Sequence, residues 1–220
     1  MLSVQNIITA LIWYFCLLFS LCVHEAAHAA AAYRCGDPSA KFFGRMSLNP
    51  LAHIDPIGTV LLPAILMLTG APFLFGWAKP VPFNPRNLND IRRDPVLIAL
   101  SGPGSNLLLA LFAVVLLRIG VEVGLTPSMP LSRILGGLIM INLVLMAFNI
   151  IPVPPLDGHH VLYYFLPASG QKVLEQIGPF GILIAIVVAR PWLGFVMTAM
   201  ITGINAFFPG HFLIRALNML

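Results

Sequence analysis

Four stretches of this 220-residue chain carry no Asp, Glu, Lys, Arg or His: residues 1–23, 56–78, 95–117 and 134–156, each 23 residues long. A bilayer's hydrocarbon core is about 30 Å thick and a helix rises about 1.5 Å per residue, so every one of these runs is long enough to span it. Two further runs are less clean: Val173–Ala189 contains Glu175, and Pro191–Ile214 follows directly on Arg190. Composition agrees, with 59% hydrophobic and 9% charged residues against about 45–50% and 25% in soluble chains. A soluble domain is excluded. The expected fold is an all-α polytopic transmembrane helix bundle of five or six spans, organised as one domain over residues 1–220.

Twelve Lys and Arg against eight Asp and Glu leave a net charge of +4, too few charges for a nucleic-acid-binding face. The cluster Arg86, Arg92 and Arg93 reads instead as a contact to lipid headgroups. The first run lacks a basic leading segment and is too long for a cleavable signal, so it is expected to stay as a spanning helix. Cys16, Cys22 and Cys35 form no CxxC pair and read as small packing residues. The longer polar regions, Arg34–Asp55 and Lys79–Asp94, contain turn signals at Gly36-Asp37-Pro38, Asn49-Pro50 and Asn84-Pro85. They are expected to be short irregular or strand-like connections.

The first apolar run ends in His24-Glu25-Ala26-Ala27-His28. On a helix, positions i and i+4 lie one above the other, so both imidazoles face the same way and can share one metal, with Glu25 beside them to handle a proton. Random placement of six His and three Glu gives this pattern in roughly two chains of this length per thousand. Ionisable groups in a spanning helix are costly and usually functional. The competing role, an interfacial His belt at the helix end, makes no use of Glu25.

A catalytic zinc takes three protein ligands. The best third candidate is Asp157, which closes the stretch Asn149-Ile150-Ile151-Pro152-Val153-Pro154-Pro155-Leu156-Asp157-Gly158. Three prolines in four positions remove backbone donors and force the helix to unwind. Unwound backbone at membrane depth is tolerated only inside protein or beside a watery cavity. Asp157 could equally cap the helix that starts near His159. Asn149 could satisfy freed backbone groups, and Gly158 fits a tight turn or a helix start.

Three segments together resemble the site-2 protease family of intramembrane zinc metalloproteases: HEAAH at 24–28, the NxxPxxxLDG pattern from Asn149 to Gly158, and Ser101-Gly102-Pro103-Gly104-Ser105-Asn106, similar to that family's AGPxxN segment. Asn49–Ile57 and Ala78–Pro82 also look similar to compact bacterial members. The resemblance implies one zinc ion held by His24, His28 and Asp157, with Glu25 as catalytic base and Asn149 positioning substrate or stabilising an oxyanion. It implies an endopeptidase that cuts transmembrane segments of other membrane proteins, seated in the cell membrane as a multi-pass protein. Ser101 replaces the usual Ala, a mild change, and the chain has no room for PDZ or CBS-type modules. The alternative function is a non-proteolytic membrane protein that binds or moves a divalent metal.

Lower expectations attach to other residues. His53, after Asn49-Pro50, is a candidate for supporting the site or touching substrate, against a plain role in an interfacial loop. Ser101, Gly102, Gly104 and Ser105 are read as permitting close helix packing. The run 56–78, broken by Pro63, Gly70 and Pro72, is expected to re-enter rather than cross. Nine Lys and Arg then fall on the inner side and three outside, and Asp157 returns to the face of His24 and His28. A crossing run gives six and six and separates them.

Overall fold

A computed structural model describes residues 4–70, 75–208 and 212–218. Helix α1 covers Val4–Arg34 and is followed by the single turn α2, Ser39–Phe42. A π-helical turn over Pro56–Leu61 continues into α3, Leu62–Leu68. Then come α4, Arg93–Glu122; α5, Pro130–Asn149; α6, Gly158–Phe165; α7, Ala168–Ile177; α8, Gly181–Asn205; and α9, Phe212–Asn218. The described residues contain no strand, so the connections expected as irregular or strand-like are irregular.

Four helices are long and apolar enough to cross a membrane: residues 7–34 of α1, α4, α5 and residues 183–205 of α8. The chain is an integral membrane protein. Helix α4 shows why water is the wrong solvent. Asn106, Ala110, Ala113 and Leu117 recur every three or four residues and are buried, while Leu108, Phe112, Val115 and Ile119 form an equally apolar stripe that is exposed. Apolar residues on both faces of one helix fit a lipid surround. The core is the three-helix group α1, α4 and α5.

The structure corrects the C-terminal division. Arg190 does not separate two segments, because α8 runs unbroken through Arg190 and Pro191. Arg190 is exposed, and its aliphatic stem lets a guanidinium ride along a helix surface. The bundle end is also revised. Helix α9 packs Phe212, Leu213 and Ala216 onto Ala110, Ala113, Leu117 and Leu135, far along α4 from the HEAAH helix turn, so Arg215 belongs to that opposite end.

Residues 56–68 form a helix of 13 residues, about 20 Å at the α-helical rise and short of a span. The chain turns at Gly70, whose φ is +67°, and its return brings Trp77 N–H onto the Gly58 carbonyl at 3.2 Å, with Thr59 Oγ1 donating to the Trp77 carbonyl at 2.8 Å. Both ends of the run therefore meet. Of the three expected breaks, Pro63 lies inside α3, Gly70 makes the turn, and Pro72 lies outside the described residues.

Candidate metal centre

His24 and His28 lie on the last third of α1 and are both buried. His24 Nδ1 lies 2.6 Å from Asn106 Oδ1, and His28 Nδ1 lies 2.7 Å from the Ile98 carbonyl. A carbonyl oxygen can only accept, so His28 is protonated at Nδ1; Ser101 Oγ shares the same carbonyl at 2.6 Å. The oxygen of Asn106 likewise makes His24 a donor at Nδ1. In the neutral form of each ring Nε2 is then the free lone pair, and the two Nε2 atoms face each other 3.0 Å apart.

Asp157 completes the group. Its Oδ2 is 3.2 Å from His24 Nε2 and its Oδ1 is 3.4 Å from His28 Nε2. Although Asp157 precedes α6, its side chain makes no capping hydrogen bond, so of its two expected roles only the one facing the imidazoles is occupied. Gly158, the first residue of α6, is small for a packing reason: a Cβ there would run into the backbone carbonyls of Ile150 and Ile151. Its φ is not left-handed, and the turn closed by His159 N–H on the Leu156 carbonyl at 3.1 Å passes through it into the helix.

Three ligand atoms, one from each of His24, His28 and Asp157, lie within 4.8 Å of one another. All are lone-pair donors, and Asp157 Oδ2 is buried with no hydrogen-bond partner. Lone pairs converging on one point are what a cation seated between them satisfies. Two imidazole nitrogens and a carboxylate suit zinc, so the residues fit the ion that the sequence implies. Gly102 of α4 makes the space: a Cβ there would collide with His28 Nε2 and come within 2.6 Å of His24 Cε1. Sequence reasoning assigned Gly102 and Ser101 to packing and missed that α4 closes the site through them.

Glu25 is half-buried, and its Oε2 accepts the Val81 N–H at 3.1 Å. Val81 belongs to a strap, residues 77–89, irregular up to a 3₁₀ turn at Pro85–Asn87 and pinned along its length. Lys79 N–H donates to the His53 carbonyl at 2.9 Å, and Asn89 N–H to the Cys35 carbonyl at 2.9 Å. Buried Asp37 accepts from Asn84 N–H at 2.6 Å and from Asn87 Nδ2 at 2.8 Å. Burial alone would raise the Asp37 carboxyl, but hydrogen bonds from Ser39, Asn87 and Asn84 outweigh it and hold it below the usual carboxylate range. His53 is buried, with Nε2 on the Ser47 carbonyl at 2.8 Å. Its ring bond to the Ser47 carbonyl and the Lys79 N–H on its own carbonyl hold the strap, and neither reaches His24, His28 or Asp157.

Asn149 ends α5, and its Nδ2 donates to the Leu145 carbonyl at 3.0 Å, the backbone-satisfying contact that sequence reasoning allowed. Beside the centre, a cavity of 840 Å³ is lined by residues that include Phe83, Arg92, His159, His160 and Tyr163. Burial, then the neighbouring His159, holds His160 down to about 4, so it is neutral at pH 7.

Comparison with known proteins agrees with this geometry. The chain matches peptidase family M50 over residues 118–190, a stretch that includes Asp157. It is 38% identical over 175 residues to YwhC of Bacillus subtilis (strain 168), named as a candidate zinc metalloprotease; the match covers 78% of this chain and 76% of that protein. Rip2 of Mycolicibacterium smegmatis, named in the same way, is 31% identical over 170 residues, and Rip2 of Mycobacterium tuberculosis (strain ATCC 25618 / H37Rv) is 29% identical over 174. Each match covers 77% of this chain and 63% of the mycobacterial protein, so the chain spans less than two thirds of their length. No solved structure matches the chain significantly. With motifs, ligand geometry and a relative matched over three quarters of its length in agreement, the chain belongs to peptidase family M50, the site-2 protease family.

Proposed function

We propose that His24, His28 and Asp157 hold one zinc ion, and that Glu25 acts as general base in hydrolysing a peptide bond within or near a transmembrane segment of another membrane protein. As a family member the chain is an intramembrane zinc endopeptidase; the residue roles and the substrate are our reading. The observation that carries it is the convergence of the Nε2 atoms of two imidazoles and a buried carboxylate on one point, each offering one ligand atom.

Zinc, when bound there, supplies a Lewis acid that polarises a carbonyl and acidifies water. Glu25, one residue along α1 from His24, accepts the proton of the attacking water and delivers it to the leaving amine, so water adds across the peptide bond. The Val81 N–H holds Oε2, which leaves Oε1 for that proton. The second amide hydrogen of Asn149 is the donor we assign to the substrate carbonyl. A substrate helix has its own carbonyls hydrogen-bonded internally, so it must unwind at the cut, and Gly, Pro or polar residues are expected near that point.

The membrane orientation follows from charge. With residues 56–78 returning on themselves and α8 as one helix, Arg34, Lys41, Arg45, Lys79, Arg86, Arg92, Arg93 and Lys172 lie toward the site's end of the bundle. Arg118, Arg133 and Arg215 lie at the other, with Arg190 inside α8. Eight against three supports an orientation with the site toward the cytoplasm of the cell membrane. A metal transporter would need ligand groups along a path, and the described residues hold a single group.

Purified protein incubated with a model transmembrane substrate tests the proposal. Wild type is expected to cut and to hold one zinc; Glu25→Gln keeps the zinc and loses about 10²–10⁴-fold in rate; Asp157→Ala loses both. Glu25→Gln cutting as fast as wild type, or Asp157→Ala holding zinc as tightly, refutes the assignment.

A further inference from the structure

We propose that Ser20, Asn142 and Asn106 form a directional hydrogen-bond relay across α1, α5 and α4 that fixes His24 as a metal ligand, making Asn106 and Asn142 positioning residues. This rests on the reading of His24 as a ligand.

All three residues are fully buried. Ser20 Oγ donates to the Cys16 carbonyl at 2.7 Å. Asn142 Nδ2 donates to Ser20 Oγ at 2.8 Å and to the Leu138 carbonyl at 2.8 Å. Asn106 Nδ2 donates to Asn142 Oδ1 at 2.7 Å and to the Ser20 carbonyl at 3.4 Å. Asn106 Oδ1 then faces His24 Nδ1 at 2.6 Å.

The direction of this chain has no freedom. The carbonyls of Cys16, Leu138 and Ser20 are acceptors, so they fix the hydroxyl hydrogen and the amide nitrogens of both asparagines. Asn142 must then present its oxygen to Asn106, and Asn106 its oxygen to His24. Flipping either amide would put an N–H against a donor and a carbonyl against a carbonyl at fully buried positions. His24 is therefore compelled to carry a proton on Nδ1, and its neutral ring aims the Nε2 lone pair at Asp157 and His28. A hydrogen bond from the distal nitrogen is what orients a metal-binding imidazole and sets its tautomer. His28 obtains the same service from one carbonyl, that of Ile98. For His24, the service depends on three side chains that sequence spacing does not connect.

Zinc affinity by chelator competition and ¹⁵N spectra of metal-free, ¹⁵N-histidine-labelled protein test the proposal. In wild type His24 is expected as the Nδ1–H tautomer. Asn106→Leu should weaken zinc binding about 10–100-fold and bring in the Nε2–H form. Asn106→Asp, which keeps an oxygen facing Nδ1, should restore most of the affinity. Asn142→Leu, which touches no ligand, should weaken zinc in the same direction. His24 found as the Nε2–H tautomer in wild type overturns the relay without any variant having to fold. So does Asn106→Leu binding zinc as tightly as wild type while His24→Ala loses it. If His24→Ala also binds zinc normally, the ligand assignment itself has failed.

Discussion

Gly102→Ala tests whether the contact between α4 and the two imidazoles shapes the site. A methyl at Gly102 would overlap His28 Nε2 and stand 2.6 Å from His24 Cε1 and from His28 Cε1. Carbon atoms pack at about 3.5–4.0 Å, so each imidazole must retreat by about 0.9 Å or more, or α4 must move off α1. A misplacement of about 1 Å in a catalytic array costs about 10²-fold, and zinc affinity should fall with it. The helix itself gains, since Ala is favoured over Gly in a helix interior by about 0.8–1.0 kcal/mol. Gly104, two residues along α4, supplies the control, because a Cβ there meets nothing within 4 Å. Cleavage of a transmembrane substrate, zinc content and thermal unfolding in one detergent should therefore show Gly104→Ala unchanged in rate. Gly102→Ala should be folded, with overpacking of about 1–3 kcal/mol set against the helix gain, and slower by about 10²-fold. If Gly102→Ala cleaves and binds zinc as wild type does, the contact between α4 and the imidazoles is not what shapes the site.

Two other expectations follow from the fold. Reporter fusions at Lys79 and Gly124 should fall on opposite sides of the membrane, because residues 56–78 return to their starting end while α4 crosses; the same side would sink the hairpin and the charge assignment together. Asp37 holds the strap, and its lowered carboxyl pKa means that its stabilisation is present above the ordinary value of about 3.9 and is lost as pH falls through its lower, folded value. The melting-temperature gap between wild type and Asp37→Asn should thus be widest above about pH 4 and close below it; a gap that widens in acid contradicts the assignment.

The grouping of His24, His28 and Asp157 was legible because its two halves obey local rules. A separation of four residues aligns His24 with His28 on any helix, and prolines at 152, 154 and 155 open the next one beside Asp157. What stayed hidden depends on which helix faces which. Asn106, Asn142 and Ser20 are far apart in the chain, and apolar runs with lipid on one side give no amphipathic stripe to orient them. Asn106 stood in a segment whose pattern was noticed, but its partner on α5 left no mark beyond being an amide in a spanning helix, the one signal that could have found it. The division at Arg190 failed for a related reason. A charge was taken as the end of a helix, whereas a long side chain on the outer face of α8 interrupts nothing.

The same prolines resolve a difficulty that the unwound segment would otherwise create. Opening a helix at membrane depth exposes backbone donors, and each orphan costs several kcal/mol. Between Ile150 and Leu156, prolines remove three of the seven N–H groups. The other four all donate: Ile150 to Met146, Ile151 to Phe148, Val153 to Ile151 and Leu156 to Val153. Glycines guard the outside of the loop. Gly158 packs on the carbonyls of Ile150 and Ile151, and Gly181 on that of Pro154, where any side chain would collide. The loop is therefore irregular without being loose. Asp157 is delivered to the imidazoles by a segment with every backbone donor occupied, and the relay through Asn106 holds His24 to meet it.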